Sequence, residues 1–283
     1  MRKQVLFILS LFLAINLHAE NKFVIEGSVA NVPDGLIVEL LRNEDNVGML
    51  VASDTLRNGK FRFEEETSGN GTDWMFLTAR TENYYSMILY LWVRPGSSIK
   101  ISADNLLVYT WNIESDVPEQ QTRSKILASS RDLWNEYQIL DGDYDSLRSR
   151  IKSGKYSGEE KKRQKARLDS MKQVKSMLQD RISAVELEAM AKLDVDQAWM
   201  LNYVNTAYMV NISKNKDNLE KAKALYAYIP DVWRDSFSGR EAKNVLFPQH
   251  VVEVGEEAAD ADLYDIDGKL WHLSDFRGRY VLI

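Results

Sequence analysis

The chain has 283 residues, 45% of them hydrophobic and 10% aromatic, enough apolar material for two domains with sizeable cores. Its 36 basic and 42 acidic side chains give a net charge of −6, and that sign argues against nucleic acid as a partner. It contains no cysteine, which excludes a structural disulfide and a thiol catalyst within these residues.

Arg2 and Lys3 precede an apolar run from Val5 to Ile15, and Leu17-His18-Ala19 stands before Glu20. Charge, then apolar core, then small residue is the order of a secretory signal peptide, so residues 1–19 are expected to be removed after Ala19. The apolar run is short for a bilayer span, which disfavours a retained anchor. Cleavage would leave 34 basic and 42 acidic residues, a net charge of −8. The destination is then outside the cytoplasm, in the periplasm or cell envelope. Beyond this segment the longest apolar run is the seven residues Met87 to Val93, which suits a buried strand and is too short for a membrane helix.

From Phe23 to about Asp104 the pattern is strand and turn. Asn58-Gly59 is the strongest local signal, because a two-residue Asn-Gly turn adopts the positive φ angles that match the twist of two antiparallel strands. Lys60-Phe61-Arg62-Phe63 then alternates, giving the second strand one apolar face. The region predicts six to eight short antiparallel strands in a small sandwich or open barrel.

After Pro118 the pattern becomes helical. One helix is expected over roughly Gln121 to Tyr137 and two shorter ones over Gln197 to Val210 and Asn218 to Tyr228. A long helix should begin at Ser157, where Ser157-Gly158-Glu159-Glu160 has the form of a capping box. Leu168, Met171, Val174, Leu178, Ile182, Val185 and Ala189 would form its apolar stripe. The basic run Gly158 to Arg167 reads as a solvated face steadied by pairs such as Glu159 with Arg163. Asp141 to Ser146 resembles the start of a calcium loop, but Ser146 and Lys152 occupy the positions that need Gly and Glu, so an interhelical loop is expected there.

Chemistry is sparse. Only His250 and His272 remain after signal cleavage, without spacing or companions for zinc. No phosphate loop, nucleophile elbow or H-E-x-x-H motif occurs. No catalytic, cofactor-binding or metal-ligating residue is therefore nominated, and no cofactor. Trp74, Trp92, Trp111 and Trp134 could line a groove for a sugar or peptide, although core packing is the commoner fate of such residues.

Val254 to Ile283 resembles the opening of the thioredoxin-like thiol-disulfide oxidoreductases of the TlpA/ResA group, within the wider AhpC/TSA family. The matching features are Val254-Gly255, a turn at Asp267-Gly268-Lys269, the phrase Leu273-Ser274-Asp275-Phe276-Arg277-Gly278 and the apolar Tyr280-Val281-Leu282. Ala258-Ala259 stands where that family often has Ala-Pro. "FVIEGSVANVPDGLIVELL", "NGKFRFEE" and "VRPGSSIKISAD" resemble the DUF4369 β-domain that precedes such modules in envelope proteins.

The resemblance implies a signal peptide (1–19), a β-domain (20–117), a helical spacer (118–247) and the beginning of a thioredoxin-like domain (248–283), in all an α+β protein. The family's Trp-Cys-x-x-Cys follows the strand that here reads Tyr280 to Ile283. The expectation is thus the N-terminal part of a longer, exported thiol-disulfide oxidoreductase, itself without the catalytic cysteines and inactive alone. Its partners would be envelope proteins carrying thiols or disulfides. A complete protein whose tail packs on its own body is the structural alternative. A non-catalytic module that recognises an envelope protein or glycan is the functional one. Redox direction, substrate and number of subunits stay open.

Overall fold

The computed structural model describes residues 21–44, 47–82, 84–248, 255–256, 260 and 262–279. The signal segment, His250, Val254, Ala258-Ala259 and the expected strand Tyr280 to Ile283 lie outside the described residues. Eleven strands and six α-helices occur among the described residues, an α+β arrangement with the sheets first. The chain divides into two units, Met1–Leu246 and Phe247–Ile283.

The first unit opens with β1 (Lys22–Val29), β2 (Ile37–Glu44), β3 (Val47–Thr55), β4 (Lys60–Glu66), β5 (Asp73–Thr81), β6 (Tyr84–Tyr85), β7 (Leu89–Val93), β8 (Ser98–Ala103) and β9 (Asn112–Glu114). They form one sheet in the order β4-β1-β8-β9 and another in the order β3-β2-β5-β6, with β7 also paired to β5. Alternation decides which face is buried: Phe23, Ile25 and Val29 of β1, Phe61 and Phe63 of β4, and Ile99 and Ile101 of β8 turn inward. Val38, Leu40, Met75, Leu77, Leu89 and Leu91 of the other sheet join them in one core.

Eight strands lie between Lys22 and Ala103, at the upper end of the six to eight expected, with one correction to their antiparallel pairing. β1 runs parallel to β8, from Val24 opposite Ser98 to Val29 opposite Ala103. Asn58 and Gly59 do take positive φ angles, 50° and 70°, and Arg57 and Lys60 exchange backbone hydrogen bonds across them. The two strands at that turn then part, β3 pairing with β2 and β4 with β1, so the turn joins the two sheets.

The helices are α1 (Pro118–Lys152), α2 (Gly158–Met190), α3 (Gln197–Ser213), α4 (Lys216–Tyr226), α5 (Asp231–Arg234) and α6 (Phe237–Leu246). Helix α1 runs on through Asp141 to Ser146, where a loop was expected. Asp141 is ion-paired with Lys175 of α2, and the Lys175 ammonium lies 4.7 Å from the Tyr144 ring centre. That cross-helix packing outweighs the weak helix propensity of Asp and Gly.

Ser157 is the N-cap of α2 by position, but its side chain accepts no capping bond. The basic run pairs one residue closer than expected, Glu159 with Lys162 and Glu160 with Arg163. The expected stripe is also revised. Val174 is exposed and Val185 and Ala189 are half-buried, while Leu178, Ile182, Ser183, Glu186, Leu187 and Met190 form the inward face. Helix α4 starts two residues earlier than expected, because the Asn215 side chain accepts the Asn218 amide at 3.1 Å. No helix among the described residues is long and apolar enough to cross a membrane.

Strand β5 and strand β7 explain the unbroken apolar runs. Their inner residues face the β4-β1-β8-β9 sheet, whereas Trp92 packs with Trp74, Val117, Ala198 and Leu201 beside the helices. A strand covered on both faces needs no polar alternation.

In the second unit β10 (Leu263–Tyr264) pairs antiparallel with β11 (Leu270–Trp271), and Leu273–Phe276 follows as a 3-10 turn.

Candidate functional site

The inward stripe of α1 carries polar residues at core positions. Gln120, Arg123, Ser130 and Gln138 are buried on the same side as Ile126, Leu127 and Tyr137. Where this stripe meets the outer face of β7 and helices α2 and α3, it borders a cavity of about 550 Å³. Tyr90, Tyr109, Trp134 and Tyr137 supply aromatic walls, while Met209 and Ile212 lie at the exposed side. A concave, mostly apolar space with a few placed polar groups is the usual form of a small-ligand site.

Two opposite charges line this cavity. Arg123 is only 2% exposed; its Nη1 donates to Asn202 Oδ1 at 2.9 Å and its Nη2 to the Tyr109 hydroxyl at 2.7 Å. Its guanidinium carbon lies 5.2 Å from the Tyr109 ring centre and 5.8 Å from that of Tyr90, within cation–π range. Glu186, 6% exposed, accepts the Ser130 hydroxyl and the Trp134 indole N–H, both at 2.7 Å and both on Oε1. Burial works against the Arg123 charge, but Tyr109, Glu186 and Tyr90 favour it and hold its pKa above the usual value. Burial in turn pushes the Tyr109 hydroxyl up to about 12. Burial raises the Tyr90 hydroxyl as well, so both phenols stay protonated at neutral pH, and Arg123 stays charged.

The four tryptophans separate. Trp111 is core, packed on Phe61, and donates to the Asn105 carbonyl at 2.9 Å. Trp92 is buried and stacks on half-buried Trp74 with ring centres 6.2 Å apart. Trp134 alone of the four reaches the cavity. Arg123 and Glu186 were not legible as site residues. Their signal was positional: Arg123 precedes Ile126 by three residues and Glu186 follows Ile182 by four, which places both on buried helix faces.

The second unit carries a different constellation. Asp265 accepts the amides of Asp267 and Lys269 at 3.0 and 2.9 Å and the Trp271 indole N–H at 2.8 Å, closing the hairpin over Asp267-Gly268-Lys269. Those bonds hold the Asp265 carboxyl below its ordinary pKa. His272 caps the 3-10 turn, its amide donating to Asp275 at 2.8 Å, and its Nδ1 is 3.6 Å from Asp262. Asp260 accepts the Ser274 hydroxyl at 2.6 Å. Among the described residues no group of three or more His, Asp or Glu side chains is placed to hold a metal ion.

No family model, curated protein or solved structure matches the chain.

Proposed function

We propose that this chain is the recognition part of an exported thioredoxin-like thiol-disulfide exchange protein, with the sulfur chemistry supplied from beyond Ile283. The observation that carries this reading is the second unit: the Asp-Gly-Lys turn closes a β-hairpin, and Leu273-Ser274-Asp275-Phe276 follows it as a 3-10 turn. That order agrees with the opening of the TlpA/ResA group. Exchange between thiols and disulfides needs a thiolate, and these residues hold none. In an insulin-reduction assay the 283-residue chain should match the blank. A gene product that continues past Ile283 into the cysteine pair should exceed it. Reduction by the cysteine-free chain, or none by the gene product, would overturn this reading.

The second reading, a non-catalytic binding module for an envelope protein or glycan, is favoured by the cavity. Its aromatic walls and two opposite buried charges lie entirely in the first unit.

A further inference from the structure

The binding reading leaves the ligand open, and the inference below rests on that reading. Arg123 has five N–H donors, of which Asn202 and Tyr109 take two. The others meet no acceptor among the described residues. Glu186 receives both of its donors on Oε1, so Oε2 meets none among the described residues. Both side chains are more than nine-tenths buried and both line the same cavity. Buried charged groups with open hydrogen-bonding capacity require partners, so the cavity must supply them from water or a ligand.

The signs then restrict the ligand. An anion would gain from Arg123 and be repelled by Glu186, and a cation would meet the reverse. A neutral group that both accepts and donates suits the pair, and a hydroxyl is such a group: its lone pairs take Arg123 N–H bonds while its proton goes to Glu186. Further neutral groups line the same space, namely the Ser183 hydroxyl and the Gln179 and Asn205 amides. Apolar ring faces from Trp134, Tyr90 and Tyr137 complete the walls. A pyranose ring combines these needs, with hydroxyls round its rim and C–H groups gathered on its faces. A zwitterionic amino acid would answer the two charges and leave the neutral groups idle.

We infer that this cavity binds a neutral sugar, its ring laid against Trp134 and its hydroxyls bridging Arg123 and Glu186.

The test takes the full 283-residue chain to an array of neutral hexoses and N-acetylhexosamines, free and in oligosaccharides, with calorimetry and tryptophan fluorescence on the hits. A sugar should bind and perturb tryptophan emission. Competition by the free monosaccharide would identify a single ring as the recognised unit, and binding restricted to oligosaccharides an extended glycan; both support the inference. Glu186→Gln retains an oxygen for Ser130 and Trp134 and should weaken binding at least roughly tenfold. Trp134→Leu should do the same and serves as the second variant if the first fails to fold. Sugar binding that neither variant changes would overturn the site. Binding of free amino acids or peptides in place of sugars, lost in Glu186→Gln, would overturn the sugar and leave the binding reading standing. Absence of binding to the sugars and to free amino acids and peptides screened alongside them would overturn both.

Discussion

The side-chain oxygen of Gln120 accepts the backbone N–H of Trp92 at 3.0 Å, in the buried space between α1 and β7. Strand β7 gives one edge to β5, and on its other edge a helix side chain does what a further strand would otherwise do. Gln138 does the same for the 3-10 turn Val108–Thr110, accepting the Tyr109 amide at 3.2 Å. Strands and helices of the first unit therefore complete one another's hydrogen bonding.

Gln120→Ala should orphan the Trp92 amide, at a cost of about 1–3 kcal/mol. Because the lost bond joins sheet to helix, near-ultraviolet and far-ultraviolet signals should fall together in one denaturant transition at lower concentration. Two separated transitions would show that α1 and the sheets unfold independently and that this bond couples nothing.

Much of the local structure was legible because its causes are local. Asn58-Gly59 needs only two residues with positive φ, and β1, β4 and β8 advertise their buried faces by strict alternation. What escaped depends on distant partners. Nothing near Thr55 or Lys60 says that β3 and β4 enter different sheets. Nothing near Asp141 announces Lys175, thirty-four residues on, whose pairing carries α1 through a segment written in loop residues. The cavity was hidden for a related reason. Arg123 and Glu186 look like solvent-facing charges until two further helices close over them. Of the four tryptophans weighed for a groove, Trp134 lies at the candidate site, and the other three are absorbed by packing.

Gly27 makes a sharper prediction about the β-sandwich. A Cβ built there would lie 1.9 Å from the Phe61 ring, which is 3% exposed and shut in by the core. Gly27→Ala should therefore destabilise the protein by about 1–3 kcal/mol through overpacking. Combining it with Phe61→Leu, which shortens the obstructing side chain, should recover part of that loss. A double mutant whose loss equals the sum of the two singles would rule out the clash as the cause.

Asp196 offers a test by pH. It is the N-cap of α3, accepting the Trp199 amide at 2.8 Å, but burial raises its pKa above the ordinary 3.8, with Glu119 adding to the effect against its hydrogen bonds. A raised carboxyl favours the protonated fold. The stability it contributes is present below about 3.8 and is lost as pH rises through the folded value. Asp196→Asn keeps an acceptor for the cap and removes the titration, so at pH 7 it should be at least as stable as the parent. That advantage should shrink below pH 3.8. Asp196→Ala, which removes the cap, should cost about 1 kcal/mol. Urea midpoints across pH 3 to 7 decide the matter, and an Asn variant less stable than the parent at pH 7 would contradict the sign.

The end of α6 fixes where the first unit can be cut. Leu246 is 2% exposed and packs in the helical core with Met200, Tyr203 and Ala242, and the compact unit closes at this residue. A chain ending at Pro248 retains Leu246 and should melt cooperatively. A chain ending at Lys243 removes it together with Val245, which packs against the same core. Loss of a buried leucine leaves a cavity beside Tyr203, so this shorter chain should be less stable by roughly 2–5 kcal/mol, read from denaturant midpoints at a common slope. Equal midpoints for the two truncations would mean that α6 is an appendage and that the helical core is complete without its last turn.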